Sequence, residues 1–504
     1  MKKIIVIPLD ERPCNYNFNQ FMTEGIPYDI VVPPMNIMGD KKQPGDSDLI
    51  IDWLKKEAKT ANGIVVALDT ILYGGIIPSR LHHHSMEVLQ ERLNVLREIK
   101  EDNKDLVIYA YQLLMRNPQY SSAEEEPDYY ADYGREIHLT GVYEHKEELG
   151  ILTESEKIDY KRVKDFVPQE FLKDYLDRRL INSELNKDFL ALVKEGVVDF
   201  AIIPQDDSSP YGYTAIDQRK TRKMIEDENL ELKVYMYPGA DEVTNTLLSK
   251  LILHFENKRP LVYIKYSSVG EGKIIPLYED RYLAETVKYQ VLAAGGLIVD
   301  DLNSADLVLL INTPPEAMRE AASINNRTIE YDSFRTLVEY VEFADYVIKD
   351  LNKPVIIGDV AYANGGDLHL FKLLKQKDLL FKVAAYAGWN TSSNTLGTAI
   401  PQGIFAWLYP NRKENEDFLA LRYVEDVGYC SIVRSSVAAK LEEPQNYYLL
   451  DGKKGKTVDL IEKELNEFIA NNLNSKEYSI EITNIYSPWN RMFETGLEVK
   501  VVKK

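Results

Sequence analysis

Two adjacent acids, Asp206 and Asp207, stand where the apolar run VVDFAIIP ends, and the turn-forming residues SSPYG follow them. Paired carboxylates suit acid–base work, because each ionised group raises its neighbour's pKa and keeps one proton available near neutrality. A second pair, Asp241 and Glu242, follows the run KVYMYPGA. Other apolar runs give way to polar residues in the same manner. Asp10 and Arg12 follow IIVIPL, and Asp69, Tyr73 and Arg80 follow GIVVAL. Asp359, Asn364 and Asp367 follow PVIIG, and Trp389 and Asn390 follow VAAYAG. Sugar hydroxyls are read by Asp, Asn and Arg side chains, and the apolar face of the ring stacks on an indole. Cleavage of a glycosidic bond then needs one carboxyl as proton donor and a second group to stabilise the oxocarbenium-like centre.

Asp206 and Asp207 are therefore the favoured catalytic pair, with Asp241 and Glu242 the alternative. Asp10, Arg12, Asp69, Tyr73, Arg80, Asp359, Asn364, Asp367, Trp389 and Asn390 are the candidate substrate-binding residues. Each also has a structural reading. Asp241 and Glu242 open a helical pattern, where acids complement the helix dipole. Trp389 suits a core, and the cluster 390–395 suits a helix N-terminal turn.

Other chemistries lack their signatures. Of seven histidines, three are consecutive (His82, His83, His84), and none has zinc-ligand spacing. No GxGxxG follows a strand, and there is no Walker A or GxSxG sequence. No metal and no cofactor are expected. An alternative fills the same pocket with Mg²⁺ or Mn²⁺ held by carboxylates, which suits a lyase, an epimerase or a phosphate-ester hydrolase. A third reading is a sugar-binding protein without catalysis.

The elements that must position these residues alternate strand with helix. Strand candidates are 3–10, 28–34, 63–69, 106–112, 198–205, 233–238, 260–267, 306–312, 354–359 and 382–388. Nearly all are continuous apolar runs, as parallel strands covered on both faces require. Helical periodicity falls between them, as in 85–102, 183–196, 242–258 and 333–351. This order predicts an α/β protein with a TIM-barrel-like (β/α)₈ core, whose strand ends converge on one face. Residues 1–412 form the predicted catalytic domain, with insertions at about 118–180 and 260–312. Residues 413–504 form a mostly helical accessory region that ends in two strands, YSIEITNIY and FETGLEVKVV.

A length of 504 residues with 45% hydrophobic and 28% charged residues describes a chain that buries a sizeable core. A net charge of −20 argues against a nucleic-acid or anionic-membrane partner. Two cysteines, Cys14 and Cys430, make no disulfide framework. The opening MKKIIVIPLDERP is too short for a signal sequence, and no run approaches a membrane span. The expectation is a cytoplasmic protein acting on a small carbohydrate. Oligomeric state leaves no signal.

The stretch FAIIPQDD resembles the strand-ending Asp-Asp pair of O-GlcNAcase-like β-N-acetylglucosaminidases, which are TIM-barrel enzymes. The resemblance implies substrate-assisted retention: the 2-acetamido oxygen attacks the anomeric carbon, Asp206 orients and polarises that amide, and Asp207 is the acid/base. YPGADEV is similar to the Gly-Gly-Asp-Glu-Val strand end of β-hexosaminidases, which implies the same two roles for Asp241 and Glu242, although Ala240 replaces the second Gly. Over its whole length the chain resembles a bacterial family catalogued as domain of unknown function 4127. PLDERPCN, LDTILYGGIIPSR, PQDDSSPYG, PGADEV and AGWNTSSNTLGTAI carry that resemblance, which implies no mechanism.

Overall fold

All ten apolar runs become strands, and a computed structural model describes their arrangement over residues 1–270, 272–322 and 328–504. The chain divides into two units. The first comprises Met1–Glu11, Tyr28–Thr244 and Tyr278–Asp280. The second comprises Arg12–Pro27, Asn245–Leu277 and Arg281–Lys504.

In the first unit, β1 (Lys2–Ile7), β2 (Tyr28–Val31), β3 (Gly63–Ala67), β4 (Val107–Tyr111), β5 (Phe200–Ile202) and β6 (Val234–Tyr235) form one sheet in the order β2-β1-β3-β4-β5-β6. Every pairing is parallel. In the second unit, β7 (Leu261–Tyr266), β8 (Leu297–Val299), β9 (Leu307–Asn312), β11 (Val355–Asp359) and β13 (Ala385–Ala387) form a sheet in the order β13-β11-β9-β7-β8, again all parallel. Two-residue strands β10 (Arg319–Glu320) and β12 (Tyr362–Ala363) pair separately. An antiparallel ribbon of β14 (Tyr478–Tyr486) and β15 (Gly496–Lys503) ends the chain.

Strand order corrects the expectation of a single (β/α)₈ barrel. A barrel closes its last strand on its first, whereas these sheets stay open, with edges at β2 and β6 in one and at β8 and β13 in the other. Both are doubly wound: the chain starts inside the sheet, builds outward on one side, then returns to build on the other. Strand–helix alternation is common to both architectures, and hydrophobic period does not encode strand order. The run 260–312, expected as an insertion, instead supplies β7, β8 and β9 of the second sheet. Four of the runs are buried along the whole strand, β3, β5, β9 and β11, whereas β2 and β7 are largely half-buried.

Doubly wound sheets place sites beyond the strand C-termini, at the point where strand order reverses. That point lies between β1 and β3 in the first unit and between β7 and β9 in the second. Residues 118–180 fold largely into helices Tyr130–Glu148, Glu154–Phe166 and the start of Gln169–Lys194. Met115, Tyr130, Ile137, Tyr175 and Tyr213 pack them into a buried cluster, and Tyr129 stacks on Phe171 with ring centroids 4.8 Å apart. Beyond residue 413 helices prevail, including an 11-residue π-helical stretch, Tyr423–Val433. Among the described residues, no helix is long and apolar enough to cross a membrane.

Candidate active site

The chain leaves β5 through Pro204 and Gln205, and Asp207 then takes the left-handed conformation (φ +41°). Asp tolerates this region better than most residues, and the sharp turn separates the two carboxylates. Asp206 Oδ2 accepts from Arg80 Nη2 at 2.7 Å, and Asp207 Oδ2 accepts from Arg116 Nη1 at 2.8 Å. Arg80 is delivered by a short turn after β3. The preceding helix, Leu68–Tyr73, ends at Gly74 with φ +89°, where a Cβ would stand 2.6 Å from the Gly45 carbonyl oxygen and so has no space. Arg116 follows β4.

Both arginines are also held by the insertion. Glu125 Oε2 accepts from Arg80 Nη1 at 3.2 Å and from Arg116 Nη2 at 3.0 Å. Glu126 Oε1 accepts from Arg116 Nε at 2.7 Å and from Arg80 Nη1 at 3.4 Å. Glu126 is 1% exposed. Two guanidiniums thus stand among Asp206, Asp207, Glu125 and Glu126, which leaves carboxylates in excess.

Burial pushes the Asp207 carboxyl up to about 7; Arg116 opposes this and Asp206 adds to it. Its side chain still keeps 20% of its surface open. Asp69, in the first turn after β3, accepts from the Leu113 amide at 3.0 Å. Burial pushes it too up to about 7, against the Leu113 hydrogen bond and the Arg80 charge. Asp69, Ser79, Arg80, Arg116, Asn182 and Asp206 line a cavity of about 10 Å³, room for about one water molecule.

Further residues of this unit lie on the same sheet end, the expected Asp10, Tyr73, Asp241 and Glu242 among them. Tyr111, closing β4, shares a 2.7 Å hydrogen bond with Thr244 Oγ1. Burial raises its pKa, and the charges of Asp69, Asp10 and Asp241 add to the rise. Tyr73 is buried and stacks on His82 at 4.5 Å. His82 Nε2 meets Asn182 Oδ1 at 2.8 Å, and burial lowers its pKa to about 4. Glu242 is fully buried and accepts from the Ala240 amide at 2.9 Å. A Cβ on Gly239 (φ +150°) would stand 2.1 Å from Glu242 Oε1. Glu242 thus braces its own turn.

The remaining expected residues belong to the second unit, so the sequence-derived set is shared between two sheets. Asp359, closing β11, accepts from Asn312 Nδ2 (2.9 Å), the Asp367 amide (2.7 Å) and Tyr386 Oη (2.7 Å). Burial, and then the Asp367 charge, push it up to about 6. Asp367 caps helix Leu368–Gln376 through the His369 amide and accepts from Arg335 Nη1 at 2.8 Å. Both acids are at most 1% exposed, so they form an internal network and present no oxygen to a ligand. Asn364 (φ +62°) donates to Glu320 at 2.8 Å.

Trp389 is 4% exposed, donates to Thr398 Oγ1 at 3.2 Å and meets Phe18 edge-on with centroids 6.0 Å apart. The expected sugar platform is therefore core packing. Asn390 accepts from the Thr391 amide at 2.7 Å, and Thr391 caps helix Ser392–Leu408. Arg12 lies with its guanidinium 4.4 Å from the Trp489 ring centroid.

Sequence reasoning missed several members. Glu125 and Glu126 sit in the acidic stretch AEEEPDYY, which reads as solvated surface; the only hint was that buried arginines at strand ends need acids from elsewhere. Arg335, Asn312 and Asp426 carried no signal. Asp426, in the π-helical stretch, accepts from the Gly388 amide at 2.7 Å and from Arg422 Nη1 at 3.0 Å.

Fold and site together define an α/β protein of two doubly wound parallel sheets, with an acid–arginine cluster at the strand C-termini of the first. The chain belongs to the family described as Protein of unknown function (DUF4127), which matches residues 4–498. No curated protein matches it.

Proposed function

We propose that the first unit is a glycoside hydrolase site acting on an N-acetylated amino sugar, with Asp206 and Asp207 as its carboxylate pair. The observation that carries this reading is an adjacent carboxylate pair, each member held by its own arginine, with one member's pKa raised toward neutrality. Asp206 is engaged by Arg80 at 2.7 Å and Asp207 by Arg116 at 2.8 Å; burial nonetheless raises the Asp207 pKa to about 7, while part of its side chain stays open. A carboxyl that keeps its proton near neutrality is what protonation of a leaving group requires.

In this mechanism Asp207 gives its proton to the glycosidic oxygen as the bond to the anomeric carbon breaks. The substrate's acetamido oxygen attacks that carbon, and Asp206 accepts a hydrogen bond from the acetamido N–H. Water then opens the cyclic intermediate, and the Asp207 carboxylate takes its proton. The enzymes that FAIIPQDD resembles are barrels, so the likeness is carried by the site and not by the fold. The carboxylate oxygens facing Arg80 and Arg116 are committed to guanidiniums, which favours proton transfer over cation coordination at this pair. The setting we propose is the bacterial cytoplasm.

A panel of aryl glycosides tests the reading. Turnover of N-acetylamino-sugar aryl glycosides, with cleavage of the corresponding disaccharide abolished in Asp207→Ala, is the expected result. No turnover of any amino-sugar glycoside, or full activity of Asp207→Ala on the disaccharide, removes the assignment.

A further inference from the structure

We infer that Glu125 and Glu126 are positioning residues of this site: they clamp Arg80 and Arg116 by shared carboxylate oxygens, so that neither guanidinium is spent wholly on the aspartate it faces. The inference rests on the reading of Asp207 as the proton donor. A guanidinium beside a single carboxylate lowers its pKa by about 1–3 units, which would strip a general acid of its proton at neutral pH. Here Arg116 divides its nitrogens among three acids. Nη1 goes to Asp207 (2.8 Å), Nη2 to Glu125 (3.0 Å) and Nε to Glu126 (2.7 Å). Arg80 is divided likewise between Asp206 and the same two glutamates. The insertion therefore supplies negative charge to the guanidinium nitrogens that do not bond the catalytic pair.

The charged and titratable groups that act on Asp207 come from four places. Arg116 and Tyr120 follow β4, and Arg80 follows β3. Asp206 adjoins Asp207 on the loop after β5, and Glu125 reaches it from the insertion. Glu126 acts through Arg116. Of these, Asp206 and Glu125 favour the protonated acid, while Arg116 and Arg80 oppose it. Removing a glutamate charge leaves the arginine field less compensated and drives the Asp207 proton off at lower pH.

Glu125→Gln and Glu126→Gln keep the size and one acceptor oxygen while deleting the charge. The readout is the ¹³C-carboxyl NMR titration of Asp207 in the full chain, its signal assigned by its absence in Asp207→Asn. The midpoint falls by about 1 pH unit in each variant, and the alkaline limb of the pH–rate profile falls with it. Glu124→Gln, whose carboxylate pairs with Lys41 outside the cluster, leaves both unchanged. Glu125 is 21% exposed in its side chain, so it decides the matter even where Glu126→Gln does not fold. An unmoved Asp207 midpoint in folded Glu125→Gln overturns the clamp. A shifted midpoint in a protein that turns over no glycoside upholds the clamp and removes the hydrolase reading instead.

Discussion

Arg116 and Asp207 meet at 2.8 Å while the Asp207 backbone is held at φ +41°. Strained conformations persist where surrounding contacts over-determine them, and they gather at functional sites. Here the constraint turns two adjacent side chains toward two different arginines. Asp207 thereby keeps its proton beside a cation, since burial outweighs the Arg116 charge.

The pH dependence of turnover follows. Asp207 works as an acid in its protonated form, so kcat/KM holds steady below about 7 and falls about tenfold per pH unit above it. Asp207→Asn, which cannot donate, lowers kcat by about 10²–10⁴-fold. A pH–rate profile measured with an N-acetylglucosamine disaccharide, whose leaving hydroxyl needs a proton, checks both. A flat profile through neutrality contradicts the assignment of the proton.

Stability carries a pH signature of the same sign from the second unit. Burial pushes Asp426 up to about 8, against the Arg422 charge, so the folded chain holds a proton that the unfolded chain releases above about pH 4. Stability from this group is fully present below that value and declines as pH rises toward about 8. Urea midpoints recorded between those limits fall with pH, and less steeply in Asp426→Asn. Equal slopes in the two proteins count against this account.

The Arg335–Asp367 pair is buried, with Asp359 and Asn312 alongside. Arg335→Met leaves Asp367 uncompensated in the interior and costs about 3–5 kcal/mol. Urea denaturation measures the loss; an unchanged midpoint shows the network to be dispensable.

Gly239→Ala forces a side chain into φ +150° and against the Glu242 carboxylate. The cost is about 1–3 kcal/mol, read as a lowered thermal midpoint. Equal stability means the turn before helix Val243–Glu256 relaxes freely.

The strands and helices were legible in the sequence because burial on both faces of a parallel sheet leaves unbroken runs such as GIVVA and LVLLIN. Their assembly was not. Alternating strand and helix serve a barrel and a doubly wound sheet equally, and what decides is pairing order, with β1 set between β2 and β3 and β7 between β8 and β9. The acids after β1, β3, β5 and β6 were correctly placed beyond strand C-termini, where the first unit gathers them. Glu125 and Glu126 were hidden because an acidic tract looks solvated until the arginines it covers are known. Trp389 misled because an indole after a strand serves a core as readily as a ligand; only its contacts with Phe18 and Thr398 distinguish the two.

The proton donor is tested most directly by leaving-group dependence. A nitrophenolate leaves without a proton, whereas a sugar hydroxyl does not, so Asp207→Ala should keep far more activity on the nitrophenyl N-acetylglucosaminide than on the corresponding disaccharide, with the two losses differing by about 10²-fold or more. Equal losses on both substrates, or no loss on the disaccharide, contradict the role of Asp207.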